Sequence, residues 1–382
     1  MAWRHFICDG HSGRYLAEVT EEVSASSFNR VINGVSTGTH SFTIKPDSDV
    51  PWRALVLPLW DRIFVSSWEG TVKYAGYIHT IDPWVRTSKT FTIRTSCVRD
   101  FLKNRFLYPV DEGNYRAGTL EVKDRSFAGA ARALLAAATS GRTANWNLPL
   151  VLPEDGPGVV SRTWWYYEGW TAERALTELQ STSDGPDIDF EPRWTVYDQA
   201  GASNVEWVVR CGTPTLPSSA LDFNLDAPNV PLTDVVYRLN AQQLRTGSVA
   251  FGKGSEADKR VAFANSLPGR TSMIRDRSES YPEIDDVDHL RGHAMSDLRW
   301  QREPTEQWQY TARGEYELDV RDEPSGVRIK NTLLESIRIG SVIRVYTGGD
   351  HLIARGWYPQ YVIGYSCDLT SAVPLSVQPW RP

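Results

Sequence analysis

The sequence predicts a β-rich α+β protein of several domains. Two β-barrel or sandwich units flank an intervening α+β unit, and the second β unit carries a helical insertion. Three observations support this. Short runs rich in β-branched and aromatic residues, separated by turn clusters, fill residues 1 to about 112 and return from about 219. Two segments with helical apolar spacing interrupt them near 126 and 171. At 382 residues the chain exceeds the roughly 100–200 residues of one domain. The expected division is 1–112, 113–218 and 219–382, with the insertion at about 262–305.

In the first unit the expected strands are "HSFTI", "ALVLPLW", "RIFVSS", "TVKYAGYIHTI" and "KTFTIRTS", set apart by turns such as "KPDSD" and "SWEG". Phe91 and Ile93 alternate with Thr92 and Arg94, which gives one buried and one wet face. The pattern changes at "SFAGAARALLAAATSG". There Phe127, Ala131, Leu134, Leu135 and Ala138 line one helical stripe, with Ser126 as N-cap and Gly141 as stop. A second helix, "TAERALTELQSTS", puts Ala172, Ala175, Leu176 and Leu179 together behind a Thr171 cap, with Trp170 placed to staple onto Ala175. Strands "DIDFEPRWTVYD" and "VEWVVRCG" complete the middle unit. The closing unit reads as strands in "TDVVYRLNAQQ", "GSVAFGKG", "EQWQYTARGEYELDV" and the long alternating segment from Ser336 to Asp368. Its insertion holds a helix over 286–300.

Composition excludes several classes. With 41% hydrophobic and 23% charged residues the chain has enough apolar material for real cores and is not disordered by composition. A net charge of −6 without any Lys/Arg block argues against nucleic-acid binding, which needs a basic stripe. No apolar run reaches the length of a membrane span, and no basic start with an apolar run marks a signal peptide. The four cysteines, Cys8, Cys97, Cys211 and Cys367, form no C-x-x-C pair and are expected to be reduced thiols. Fifteen Trp is the unusual count, since aromatics at this density fill β-rich cores and interfaces or build sugar-stacking platforms.

Four stretches carry residues of the kind used in chemistry. In "DVDHLRGHAMSDLRW", His289 and His293 stand four apart, the spacing of zinc-protease ligands, but Leu290 occupies the place of the general-base Glu. At about 100° per residue Val287, Leu290, Ala294 and Leu298 form the apolar stripe and both histidines fall outside it, on the wet flank. "GSVAFGKG" matches the phosphate-loop pattern at Gly247, Gly252 and Lys253. It then breaks at Gly254, where Ser or Thr would bind Mg²⁺. Asp187, Asp189 and Glu191 share one strand face and could hold Ca²⁺ or act as a glycosidase pair. An exposed strand face is the commoner explanation. "TWWYYEGW", Thr163 to Trp170, could stack sugars, although a strand leading into the second helix with alternate rings buried is the commoner explanation. No nucleophile elbow occurs, and no catalytic, cofactor-binding or metal-ligating residue is assigned. A non-enzyme without cofactor is expected.

The order of these pieces resembles the minor tail proteins of siphophages, especially those that infect actinobacteria. The resemblance lies in "GRYLAEVTEEVSASSFNRVINGVSTGTHSFTI" followed by "DRIFV…GTVKYAGYIHTI", in "TAERALTELQSTSDGPDIDFEPRW", and in "TDVVYRLNAQQ…GSVAFGKG" with "ESIRIGSVIRVY…YVIGYSCD". It implies a tail-tip or baseplate hub similar to the N-terminal structural module of tail-associated proteins. Such a hub is a homotrimer whose two barrels per subunit are related to the tail-tube fold. Three subunits then join the hexameric tube or distal tail ring to a threefold tip around the DNA exit channel. The implied partners are the distal tail protein, the tape measure protein and other minor tail or receptor-binding proteins, in the virion after assembly in the host cytoplasm. The closing "SVQPWRP" carries the expectation that no receptor-binding or peptidoglycan-cleaving extension follows. The alternatives are a cell-wall carbohydrate-binding module, or a phage-associated peptidoglycan hydrolase resting on the two histidines and the acidic strand.

Overall fold

The structure is a computed structural model that describes residues 3–45, 48, 50–108, 116–141, 143–182, 185–195, 197–198, 201–202, 204–216, 220–265, 273–321 and 328–380. The expected domain boundaries at 112/113 and 218/219 lie outside the described residues. Two compact units are present: Met1–Val235 with Gln309–Pro382, and Val236–Trp308.

The first unit opens with β1 (Trp3–Asp9), β2 (Tyr15–Glu18), β3 (Val23–Val31) and β4 (Thr37–Thr43). A one-turn helix α1 (Trp52–Val56) precedes β5 (Arg62–Trp68), β6 (Thr71–Val85), β7 (Thr90–Ser96) and the short α2 (Val98–Phe101). Helix α1 replaces the strand expected at "ALVLPLW". Trp52, Leu55 and Val56 are buried at helical spacing, and Pro58 ends the turn. Strand β5 is buried almost without alternation because both faces of its sheet are covered. Ile63 and Val65 join Phe6, Cys8 and Tyr77 in one core, whereas Phe64 joins Ile7, Phe42, Ile78 and Ile93 in another that α1 closes.

The first of these cores is closed by the middle of the chain. Strand β8 (Thr119–Arg125), α3 (Phe127–Thr139), β9 (Leu150–Val151) and β10 (Val160–Trp165) come first, followed by α4 (Ala172–Gln180) and β11 (Asp187–Trp194). The two-residue strands β12 (Tyr197–Asp198) and β13 (Gly201–Ala202) lead to β14 (Val205–Gly212). Both helix caps are as the sequence predicts: Ser126 accepts from the Gly129 N–H and Thr171 from the Arg174 N–H. The apolar stripes of α3 and α4 are buried in this core with Trp164 and Trp207, except that Phe127 at the start of α3 is half-buried.

Strands β15 (Ala220–Asn224) and β16 (Leu232–Asn240) follow. The second unit then contributes β17 (Gly247–Phe251), β18 (Val261–Asn265), β19 (Asp276–Ser280) and α5 (Val287–Gln301). There β17 lies between β18 and β19, and α5 packs on the sheet through Leu290 and Ala294 against Ala250 and Ala262. Small residues on the strands let the helix approach closely. Leu290→Ala is expected to lower the stability of this unit by about 2–5 kcal/mol. Hydrogen exchange along α5 reads this directly, and unchanged protection would place Leu290 outside any core.

The chain continues through β20 (Thr305–Arg313), β21 (Glu317–Arg321), β22 (Arg328–Thr332), α6 (Leu333–Ser336), β23 (Val342–Thr347), β24 (Gly356–Cys367) and β25 (Ala372–Pro379). The expected barrels are replaced by open sheets, since no sheet among the described residues closes. Closure requires the end strands of a sheet to pair. Here β24 pairs with β23 along Gly356–Tyr361 and with β3 along Gly364–Cys367, which merges the two β halves into one 13-stranded sheet. Its main path ends on β2 and β16 instead of joining them.

One consequence of the double burial concerns pH. His5 and His40 lie on either side of Phe64, with ring centroids 5.5 and 3.9 Å away, and are 2% and 0% exposed. Burial holds the His5 imidazole down at about 4 and lowers His40 as well, His5 adding to the second effect. The unfolded chain titrates near pH 6.5, so below that value it takes up protons that the native state refuses. Stability is therefore full above about pH 6.5 and falls toward pH 4, by about 1.4 kcal/mol per pH unit for each buried ring. Urea midpoints between pH 7 and 4.5 measure this. A midpoint unchanged over that range would mean the rings charge freely in the folded protein.

Candidate functional site

His289 and His293 sit together on α5 with ring centroids 5.0 Å apart, and the His293 ring packs on Tyr281 at 4.5 Å. Tyr281 in turn donates to Asp297 at 2.9 Å. Leu290, Ala294 and Leu298 are buried and His289 is exposed, as the wet-flank assignment requires, whereas His293 is half-buried against Tyr281. Among the described residues no three His, Cys, Asp or Glu side chains are placed to share a metal ion. Gly247 to Phe251 form the central strand β17, paired on both edges, and so cannot wrap a phosphate. Lys253 is exposed, 3.9 Å from Asp285. In "TWWYYEGW" Trp164 is buried and donates to Glu178, whereas Trp165 and Tyr167 are 42% and 60% exposed with centroids 5.7 Å apart.

The acidic strand is a correction. Asp189 is 3% exposed, so this face of β11 is a buried junction and not a wet surface. Arg30 of β3, itself buried, donates to Asp189 at 2.7 Å and to the Phe190 carbonyl. Arg210 of β14 lies 3.8 Å from the second Asp189 oxygen and 3.6 Å from Glu191. Arg338, just after α6, approaches Glu191 at 3.3 Å. Asp187 accepts from Asn33 and from the Tyr361 hydroxyl. Burial raises the Asp189 carboxyl from its usual range, opposed by the Arg30 charge. Each carboxylate is thus held by cations or hydroxyls instead of standing free for catalysis or Ca²⁺. The arrangement locks strands from the two β halves and the middle of the chain onto one point. Arg30 and Asp189 are 159 residues apart, so no local pattern signals the pair.

Other features bear on assembly. At its far end β6, still paired with β7, leaves Trp84 and Val85 52% and 41% exposed. Strand β16, last in its sheet among the described residues, leaves Val235, Val236 and Leu239 exposed. End strands and exposed apolar residues of this kind are templates for pairing with another chain. No helix among the described residues is long and apolar enough to cross a membrane.

With this geometry the fold can be matched. No family model matches the sequence, and no curated protein matches it. Solved structures do. A 43 kDa tail protein of prophage MuSo2 from Shewanella oneidensis superposes with a TM-score of 0.59 at 11% identity, over 98% of both chains. A tail protein from Neisseria meningitidis MC58 gives 0.54 at 12% identity, over 100% of this chain and 97% of the other. Prophage tail protein gp18 from Listeria monocytogenes EGD-e gives 0.51 at 10% identity, covering 98% and 94%. The chain shares its fold with these three tail proteins. All three neighbours are described as tail proteins.

Proposed function

We propose that this chain is a structural protein of a phage tail tip: a hub, trimeric in the virion, that joins the sixfold tail tube to the threefold tip and surrounds the DNA exit path. The observation that carries the reading is the full-length fold match to three phage tail proteins, with coverage of 94% or more on both sides. The sequence resemblance to siphophage minor tail proteins supports a siphophage-type tail and an actinobacterial host.

Two β halves, 1–112 and 219–382, would occupy equivalent places around the ring, so that three chains face six tube subunits. Cyclic closure needs two complementary patches on each subunit. The outer end of β6 with Trp84 and the β16 edge are the patches we assign to it. A net charge of −6 suits a wall that lets DNA pass, since a basic wall would hold phosphates. Neighbours in this reading are the distal tail or tube ring, the tape measure protein and other tip proteins. Proteomics of purified particles tests the location: the chain should be present far below the major tube protein in copy number. Absence from intact virions would sink the proposal.

A further inference from the structure

Beside the buried junction lies a recess of about 220 Å³, whose walls include Arg30, Lys73, Glu191, Arg193, Arg338 and Tyr365. Lys73 of β6 is its unusual member. It is 3% exposed, and no carboxylate among the described residues lies within ion-pair distance of it. Its Nζ donates to the carbonyls of Ile337 at 3.0 Å and Glu335 at 3.4 Å, which leaves the third N–H without an acceptor among them. An ammonium buried with only carbonyl partners is destabilised by its lost hydration unless an anion joins it. Burial accordingly lowers this amine to about 8.

The surrounding charges do not remove the excess. Arg30 from β3 is committed to Asp189, and Arg193 on β11 to Glu206 at 2.8 Å. Glu191 is shared by Arg210 and Arg338. At the centre, Arg30, Lys73 and Arg338 face Asp189 and Glu191, so positive charge prevails. From β24, Tyr365 spends its hydroxyl on the Lys73 carbonyl, and burial keeps the Cys367 thiol neutral. Arg338 is 63% exposed at its side chain and stands at the open side. The volume falls below the roughly 300–1,000 Å³ of pockets for drug-sized ligands, so it suits a group of side-chain size.

We propose that this recess binds a small oxyanion, carboxylate or phosphate, with Lys73 as the buried donor and Arg338 closing over it. A neighbouring protein's Asp or Glu side chain and free inorganic phosphate share that chemistry. The test is thermal unfolding of the purified chain at pH 7 with sodium phosphate or sodium acetate, against sodium chloride of equal ionic strength. The midpoint should rise with oxyanion and not with chloride. Lys73→Met should abolish the rise, and the exposed Arg338→Ala should weaken apparent affinity at least several-fold while leaving the fold intact. A response to both acetate and phosphate assigns the site to a presented carboxylate, and a response to phosphate alone assigns it to the free ion. No rise above chloride overturns the proposal, as does a rise that survives in Arg338→Ala and in any folded Lys73→Met protein.

Discussion

Asp189→Ala is expected to lower the unfolding free energy by about 3–5 kcal/mol, because it leaves the Arg30 guanidinium buried without its partner. The 2.7 Å contact joins β3 to β11, and both side chains are about 95% or more out of solvent. Coulomb attraction in such a pair roughly offsets its desolvation, so the large effect comes from breaking it and not from its net worth. Replacing both residues with apolar ones, Arg30→Met with Asp189→Leu, should recover most of the loss. Urea titration of the two single variants and the double closes that cycle. If the single variants lose under 1 kcal/mol, Arg30 has found Glu191 or water, and the junction is softer than its geometry implies.

Trp207→Ala should be comparably damaging, at about 3–5 kcal/mol. Trp207 is fully buried on β14 and stacks on Tyr77 of β6 with centroids 5.6 Å apart, so it binds the middle of the chain to the first β sheet. The cavity left behind lies within a buried core and cannot collapse freely. A shift in the denaturation midpoint without a change in its slope would mark a loss of stability in an intact fold. Trp207→Phe should lose much less, which separates packing from any general intolerance of this position.

What the sequence makes legible follows from periodicity. Helices α3 and α4 with their Ser126 and Thr171 caps, the α5 stripe through Leu290, and most strands are readable because one face of each repeats at 3.6 or 2 residues. Helix α1 is not, since a single turn of Trp52, Leu55 and Val56 before Pro58 is as apolar as a strand of the same length. The open sheet is hidden because the β3–β24 pairing joins residues more than 330 positions apart, and no local signal favours it over closure within each half. For the same reason the acidic face of β11 reads as exposed: its cations arrive from β3, β14 and the segment after α6. Lys73 leaves one trace, a lysine between Val72 and Tyr74 in an otherwise apolar run. The overall architecture shows through at the level of element order, even though the matched folds share only 10–12% identity with this chain.

The hub assignment is tested most directly by cryo-EM of the intact tail tip. Isolated chain can remain monomeric where the tube or a neighbouring protein serves as template, so the particle is the decisive specimen. The reconstruction should contain three copies of this chain in one ring, at the step between the sixfold tube and the threefold tip. Six or more copies along the shaft, or a tip with no density for this fold, would contradict it.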